Sequence, residues 1–345
     1  MTARSFKVTD WVDPKDKSGE FKRQVSSFRD IIGQADASGS VPFPAEKDRY
    51  HLYVSYACPW ATRALIGRKL KSLEDIISFS VVHWHLADKG WRFVTADDTD
   101  SPGVNAVPDP LPGHEAFTLL REIYMLANPN YTGRITVPVL WDKKARTIVN
   151  NESSEILRMF NSAFDDLVAP AYKEVDLYPE ALRENIDATN LWQYDLINNG
   201  VYKSGFATTQ EAYERNVVAL FEALDRAEKH LSEQTKGPYW YGDVMTEVDV
   251  RLFVTIIRFD PVYVQHFKCN IRDIRSGYPF LHKWMRNLYW NNAAYKDSTD
   301  FLHIKNHYTK SHTQINPFSI APVGPLPDIL PLDEEVAAVK ASGKL

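Results

Sequence analysis

Cys58 and Cys269 are the only cysteines of this 345-residue chain, and their neighbourhoods differ. Cys58 lies in Tyr56-Ala57-Cys58-Pro59-Trp60-Ala61, between an apolar run and a helical pattern. A thiol there meets the first backbone N–H groups of a helix and the positive end of its dipole. Both favour thiolate over thiol, which makes the sulfur a nucleophile near neutral pH. A lone cysteine is otherwise a small core hydrophobe, and Cys269, in Phe267-Lys268-Cys269-Asn270, is read that way. Dithiol redox sites carry a second cysteine three residues on. Ala61 stands there, so Cys58 is expected to work alone and to need an external thiol to release any mixed disulfide.

The elements that must hold this sulfur are legible around it. Tyr50–Ser55 is β-branched and aromatic without a breaker, which predicts a short strand. Pro59 suits the first position of a helix, and Ala61, Leu65, Ile66 and Leu70 recur at helical spacing through Lys71. Ile76–His83 reads as a strand buried on both faces. Residues 86 to 115 are rich in Gly, Pro, Asp and Thr, a long connection of the kind that is functional or disordered. A helix is predicted over His114–Ala127, then a strand over Arg134–Asp142 interrupted by Pro138. That proline suits a cis bond in a tight turn, leaving the preceding backbone available to a ligand. Thr147–Asn150 is a further strand, and Glu152-Ser153-Ser154-Glu155 opens a helix through Phe160. After residue 175 helical patterns dominate, over Pro179–Asn198, Gln210–Glu233, Thr246–Arg258 and Pro279–Trp290. Thr246 and Asp249 have the spacing of a capping box. Residues 1–48 read as an extended arm and Pro317–Pro331 as a surface tail.

Composition removes several functions. The formal net charge of −5 gives nucleic acid no electrostatic footing. Apolar runs are too short to span a membrane, and the first residues lack an apolar secretory segment. Two distant cysteines suit a reducing, cytoplasmic setting rather than a disulfide framework. His303/His307 and His83/His85 have ligand spacings but no acidic residue in a metalloprotease pattern, so no metal is expected. The nine Trp and seventeen Tyr are the unusual item, since such rings also wall sites for flat aromatic ligands.

Strand–Cys-Pro–helix, a later Val-Pro and Glu-Ser at a helix start together resemble the thioredoxin-like half of a glutathione transferase. Longer strings narrow the resemblance to the glutathionyl-hydroquinone reductases, the Xi-class, omega-like branch. They are the string around Cys58, Lys89-Gly90-Trp91, Tyr131 through Asp142, Asn151-Glu152-Ser153, Asn199 through Ala207 and His303 through Tyr308. The resemblance covers about residues 5 to 325 and departs at Thr62, where a histidine is expected. It implies an α/β thioredoxin-like domain over 49–165, with 86–115 as an insertion loop, then an all-α domain over 175–310 and an extension over 311–345. It further implies a homodimer and glutathione as cosubstrate.

The implied reaction is reductive removal of glutathione from glutathionyl-hydroquinones through a Cys58–glutathione mixed disulfide. By the same similarity Trp91, Arg134, Val137, Glu152 and Ser153 bind glutathione. Tyr202 and Tyr308, with Tyr194 as a further candidate, bind the hydroquinone. The plain alternatives are a helix cap for Glu152 and Ser153 and core packing for the tyrosines. Alternative activities are an omega-type thioltransferase, a dehydroascorbate reductase or a phenacyl-glutathione reductase. A non-catalytic binding protein is the third possibility.

Overall fold

The run Tyr50–Val54 forms a fully buried strand, β1, because its apolar and aromatic residues have layers to fill on both sides. The structure, a computed structural model, describes residues 17–333. They divide into a sheet-containing unit, Gln24–Leu177, and a helical unit made of residues 17–23 and 178–333. The parts of the predicted arm and extension at 1–16 and 334–345 lie outside the described residues.

In the first unit β1 is followed by α1 (Pro59–Leu70), β2 (Ser78–Val81), α2 (Leu120–Ala127), β3 (Val139–Asp142), β4 (Thr147–Asn150), α3 (Ser153–Ser162) and the short α4 (Pro170–Lys173). The strands form one sheet in the order β2-β1-β3-β4. β2 runs parallel to β1, with His51 opposite Ser78, whereas β3 is antiparallel to β1, with Tyr53 opposite Val139, and β4 is antiparallel to β3. Arg49 donates to Asp142 from Nε and Nη2 at 2.8 and 2.6 Å, a buried pair tying the start of β1 to the end of β3.

Three predicted spans are shorter than expected. The strand predicted over Ile76–His83 as buried on both faces is Ser78–Val81, which lies at the sheet edge with Ser78 exposed and Phe79 half-buried. The strand predicted from Arg134 begins only at Val139, because the Val137–Pro138 peptide bond is cis and the residues before it are engaged by side chains. The helix predicted from His114 begins at Leu120. Residues 118–120 instead pair with an extended stretch at 91–93, with Phe93 N–H donating to the Thr118 carbonyl and Leu120 N–H to the Trp91 carbonyl. The insertion loop is held by buried polar contacts: Tyr53 Oη donates to Asp109 at 3.0 Å, and Asp109 accepts from His114 Nδ1 at 2.9 Å.

The arm does not act as one element. Residues 28–30 lie along β4, with Asp30 N–H donating to Val149 and Asn150 Nδ2 to the Asp30 carbonyl. Residues 19–23 belong to the helical unit, where Thr208 N–H donates to the Gly19 carbonyl and Arg23 Nε to Asn199 Oδ1 at 2.7 Å.

That second unit contains α5 (Arg183–Gln193), α6 (Gly200–Gly205), α7 (Gln210–Ser232), α8 (Glu247–Ile256), α9 (Ile274–Gly277), α10 (Pro279–Asn291), α11 (Ala293–Lys296) and α12 (Phe301–Ser311). Thr246 and Asp249 form the predicted capping box at α8. Asp249, fully buried, also accepts from Trp240 N–H at 2.7 Å and Trp284 Nε1 at 2.9 Å. The proline-rich tail is bound rather than loose. Arg275 donates to the Pro327 carbonyl at 2.6 Å and Trp290 Nε1 to the Leu330 carbonyl at 2.8 Å, while the Leu330 side chain is buried. Among the described residues no helix is long and apolar enough to cross a membrane.

Gly205 ends α6 against the Phe267 ring, and a Cβ there would lie 2.1 Å from two ring carbons. Gly205→Ala is therefore expected to lower the stability of the helical unit by about 1–3 kcal/mol through overpacking. Urea denaturation checks this; an unchanged midpoint would count against the close approach.

Candidate active site

Cys58 is the N-cap of α1, in extended backbone conformation (φ −80°, ψ 118°), with Pro59 at the first helical position. Its N–H donates to the Ser55 carbonyl at 3.1 Å, which closes the turn out of β1. Thr62, the position that departs from the expected histidine, donates both its N–H and its hydroxyl to the Cys58 carbonyl, at 3.0 and 3.1 Å. The residue is half-buried, and Sγ lies 3.6 Å from the Val137 carbonyl oxygen. Residues 79 positions apart thus meet because β1 and β3 are neighbours, with Val139 beside Tyr53.

Cys269 has the opposite environment. It is completely buried, and burial pushes its thiol pKa far up. Neither cysteine is disulfide-bonded.

Glu152 is the N-cap of α3 and Ser153 its first residue. The Glu152 carboxylate accepts from Ser154 N–H at 3.2 Å and Ser154 Oγ at 2.9 Å, and from Ser26 Oγ at 3.1 Å. The capping role that the residue types allow is therefore present. Ser153 is buried at the same helix start, where backbone N–H groups and the dipole favour an anion. The Arg134 backbone is held on both sides: its N–H donates to Gln24 Oε1 at 3.2 Å and its carbonyl accepts from Tyr131 Oη at 2.9 Å. Trp91 is buried in the insertion loop, its carbonyl taking the Leu120 N–H at 2.9 Å.

The tyrosines belong to the helical unit. Tyr202 on α6 and Tyr308 on α12 place their hydroxyls 2.6 Å apart, and Tyr263 Oη lies 3.0 Å from that of Tyr308. The Arg23 guanidinium sits over the Tyr202 ring, 4.9 Å from its centroid. Burial holds the Tyr263 and Tyr308 phenols well above their ordinary pKa, so both stay protonated. Tyr194 is half-buried at the start of a π-helical turn, Tyr194–Asn198. Sequence reasoning missed Tyr263, although Phe259, Tyr263 and Phe267 recur at intervals of four just beyond the predicted end of the helix at Arg258.

Among the described residues, His83 of the two histidine pairs lies near two carboxylates. His83, Asp98 and Asp100 bring ligand atoms within 4.8 Å of one another. However, His83 Nδ1 accepts from the His85 N–H at 2.9 Å, and its Nε2 faces Asp100 Oδ1 at 3.2 Å. Burial lowers the His83 pKa, so the neutral ring carries its proton on Nε2 and donates to Asp100. Asp98 is taken by both Arg92 terminal nitrogens, at 2.6 and 2.7 Å. These contacts tie residues 83 to 100 of the loop together.

Both units resemble known proteins. Residues 57–163 match the N-terminal and 210–287 the C-terminal domain model of glutathione S-transferases. "Glutathione S-transferase omega-like 2" of Schizosaccharomyces pombe is 55% identical over 323 residues, 93% of this chain and 97% of that protein. Glutathionyl-hydroquinone reductase YqjG of Escherichia coli is 49% identical over 322 residues, 92% of this chain and 93% of that one. The glutathione-bound YqjG structure superposes with a TM-score of 0.80, covering 91% of this chain and 97% of that one at 47% identity. The Xi glutathione transferase structure from Phanerochaete chrysosporium superposes with a TM-score of 0.84 at 57% identity, over 91% of this chain and all of that one.

The contrast between the cysteines is testable on the native protein. Brief treatment with iodoacetamide at neutral pH is expected to carboxamidomethylate Cys58 and spare Cys269, as read by peptide mass spectrometry. Equal labelling of both would contradict the burial of Cys269.

With its thioredoxin-like sheet unit, its helical unit and these relatives, the chain belongs to the glutathione transferases, in the Xi-class branch that includes the glutathionyl-hydroquinone reductases.

Proposed function

We propose that the chain catalyses glutathione-dependent reduction of glutathionyl-hydroquinones, with Cys58 as the nucleophile. The observation that carries this reading is a partly exposed cysteine at the N-cap of α1, 3.6 Å from the Val137 carbonyl, with Ala61 in place of a resolving thiol. Two local effects oppose each other at the sulfur. A hydrogen bond to Val137 favours the thiol, whereas the first-turn N–H groups of α1 favour the thiolate. We infer that the dipole effect prevails.

The Cys58 thiolate attacks the sulfur of the adduct, forming a disulfide as the aryl carbon–sulfur bond breaks. The released electron pair goes to the ring carbon, which takes up a proton to give the hydroquinone. A second glutathione thiolate then attacks the glutathionyl sulfur on Cys58. Glutathione disulfide leaves and the Cys58 thiolate is regenerated, so the ring carbon gains the two electrons that two glutathione sulfurs lose.

Val137 would offer its backbone to the cysteinyl part of glutathione. Glu152 would take the γ-glutamyl ammonium, and Ser153 with the α3 N-terminus its carboxylate. Trp91 and Arg134 would complete that site. Tyr202 and Tyr308 would hydrogen-bond the ring oxygens as the carbon–sulfur bond breaks, with Tyr194 a further candidate. The relatives' names support the substrate class. The same names include omega-like transferases, which keeps reduction of mixed disulfides, dehydroascorbate or phenacyl-glutathione as the second reading. A homodimer and a reducing, cytoplasmic setting belong to the proposal on the strength of the resemblance and the cysteine usage.

Cys58→Ser is expected to abolish hydroquinone release from its glutathione adduct, while Cys269→Ser keeps it. Mass spectrometry during turnover should find one glutathione on Cys58. An unmodified thiol throughout, or equal loss from both variants, would remove the mechanism. Faster turnover of dehydroascorbate than of the adduct would favour the second reading. The pH profile of Cys58 alkylation should have its midpoint below the ~8.5 of an ordinary thiol; a midpoint at or above that value would mean the Val137 bond outweighs the dipole.

A further inference from the structure

One buried hydroxyl in the sheet unit joins two segments that the mechanism uses separately. Tyr124 lies on α2, fully buried. Its Oη donates to the Thr136 carbonyl at 2.8 Å, and accepts from the Thr136 N–H at 3.3 Å and from Asn151 Nδ2 at 3.2 Å. The Thr136 hydroxyl lies 3.3 Å away as a fourth neighbour. A phenolic oxygen has one proton and two lone pairs, so the three bonds exhaust it. Burial pushes the Tyr124 pKa up to about 12, which keeps that proton in place at neutral pH.

The partners are informative by position. Thr136 immediately precedes Val137 and its cis bond to Pro138; Asn151 immediately precedes Glu152 and Ser153. Asn151 is also gripped from the other side, since Phe28 N–H donates to its Oδ1 at 3.2 Å and its own N–H donates to the Phe28 carbonyl at 3.1 Å. The Phe28 ring stands edge-on to Tyr124 at 5.9 Å.

We propose that Tyr124 is a positioning residue for glutathione: its hydroxyl fixes the spacing between the Val137 backbone and the Glu152-Ser153 turn, so that one tripeptide meets both. This rests on the glutathione site proposed above. A bond of this kind acts on ligand binding through pre-organisation, because a site whose two halves drift must be re-ordered by each incoming ligand. Its main effect is expected on binding, since the Tyr124 hydroxyl bonds to Thr136 and Asn151 and not to Cys58.

Tyr124→Phe removes the hydroxyl and keeps the ring. In a Cys58→Ser background, which cannot turn over, calorimetry should show glutathione binding weakened about tenfold, the scale expected for losing the hydrogen bonds at one buried group. In the otherwise wild-type enzyme, KM for glutathione should rise similarly while kcat at saturation stays within about twofold, the signature of lost binding rather than lost chemistry. Tyr50→Phe is the structural control: it removes another hydroxyl of the same unit, bonded to the Pro44 carbonyl at 2.8 Å. It should lower the melting temperature without moving glutathione affinity. If Tyr124→Phe does not fold, Asn151→Ala tests the other end of the same link with the same expected loss. Unchanged affinity in the folded variant, or an equal shift in Tyr50→Phe, overturns the proposal. Glu152→Gln separates the levels: if it leaves glutathione binding intact, the site assignment itself fails. If it weakens binding while Tyr124→Phe does not, only the positioning role falls.

Discussion

The central position of β1 in the sheet is the constraint on which the candidate site depends. A strand flanked on both sides cannot shift its register without turning its apolar residues toward the wrong layer. Its end is therefore a rigid point in the molecule. Cys58 leaves from that point with its N–H bonded to Ser55 and its carbonyl bonded to Thr62. The antiparallel pairing of Tyr53 with Val139 brings the Val137 carbonyl to the sulfur. Neither residue needs a dedicated scaffold beyond the hydrogen bonds of the sheet and one helix start.

Much of this was legible in the chain because it is local. Strand, Cys-Pro and helix follow one another within about twenty residues, and propensity, capping chemistry and periodicity agree there. The Thr147–Asn150 strand and the Thr246–Asp249 box were legible for the same reason. What escaped was set by distant partners. Arg134–Val137 has strand-like composition, yet side chains from α2 and the arm claim its backbone. Residues 114–119 look helical, but their last two residues, Thr118 and Leu119, pair with Phe93 and Arg92 instead. Tyr263 sits beyond a proline that ends the simple helical pattern, inside a π-helical turn that no period of 3.6 describes.

The residues proposed for glutathione illustrate how one set of atoms can serve structure and ligand alike. Glu152 caps α3, and its carboxylate keeps acceptor capacity beside Ser26. A helix start that satisfies its own first amides is also a place where an anionic group is stabilised. The residue types that cap helices are thus the ones that recur at such sites, and composition alone cannot separate the two uses. In the helical unit, burial of the phenols of Tyr263 and Tyr308 has a comparable double effect: it rigidifies the rings and holds them as neutral donors.

The contacts of residues 28–30 with β4 bear on solubility as well as on geometry. A sheet with an open flank offers its amides to strands from other molecules. Here one flank is covered by the arm, through the Arg29–Asn150 bridge and the Asp30–Val149 bond. The opposite flank, at β2, is met by the insertion loop, where Val81 N–H donates to the Asn105 carbonyl at 2.8 Å. Two irregular segments thereby act as caps against intermolecular strand addition, and stripping either one would expose a template for aggregation.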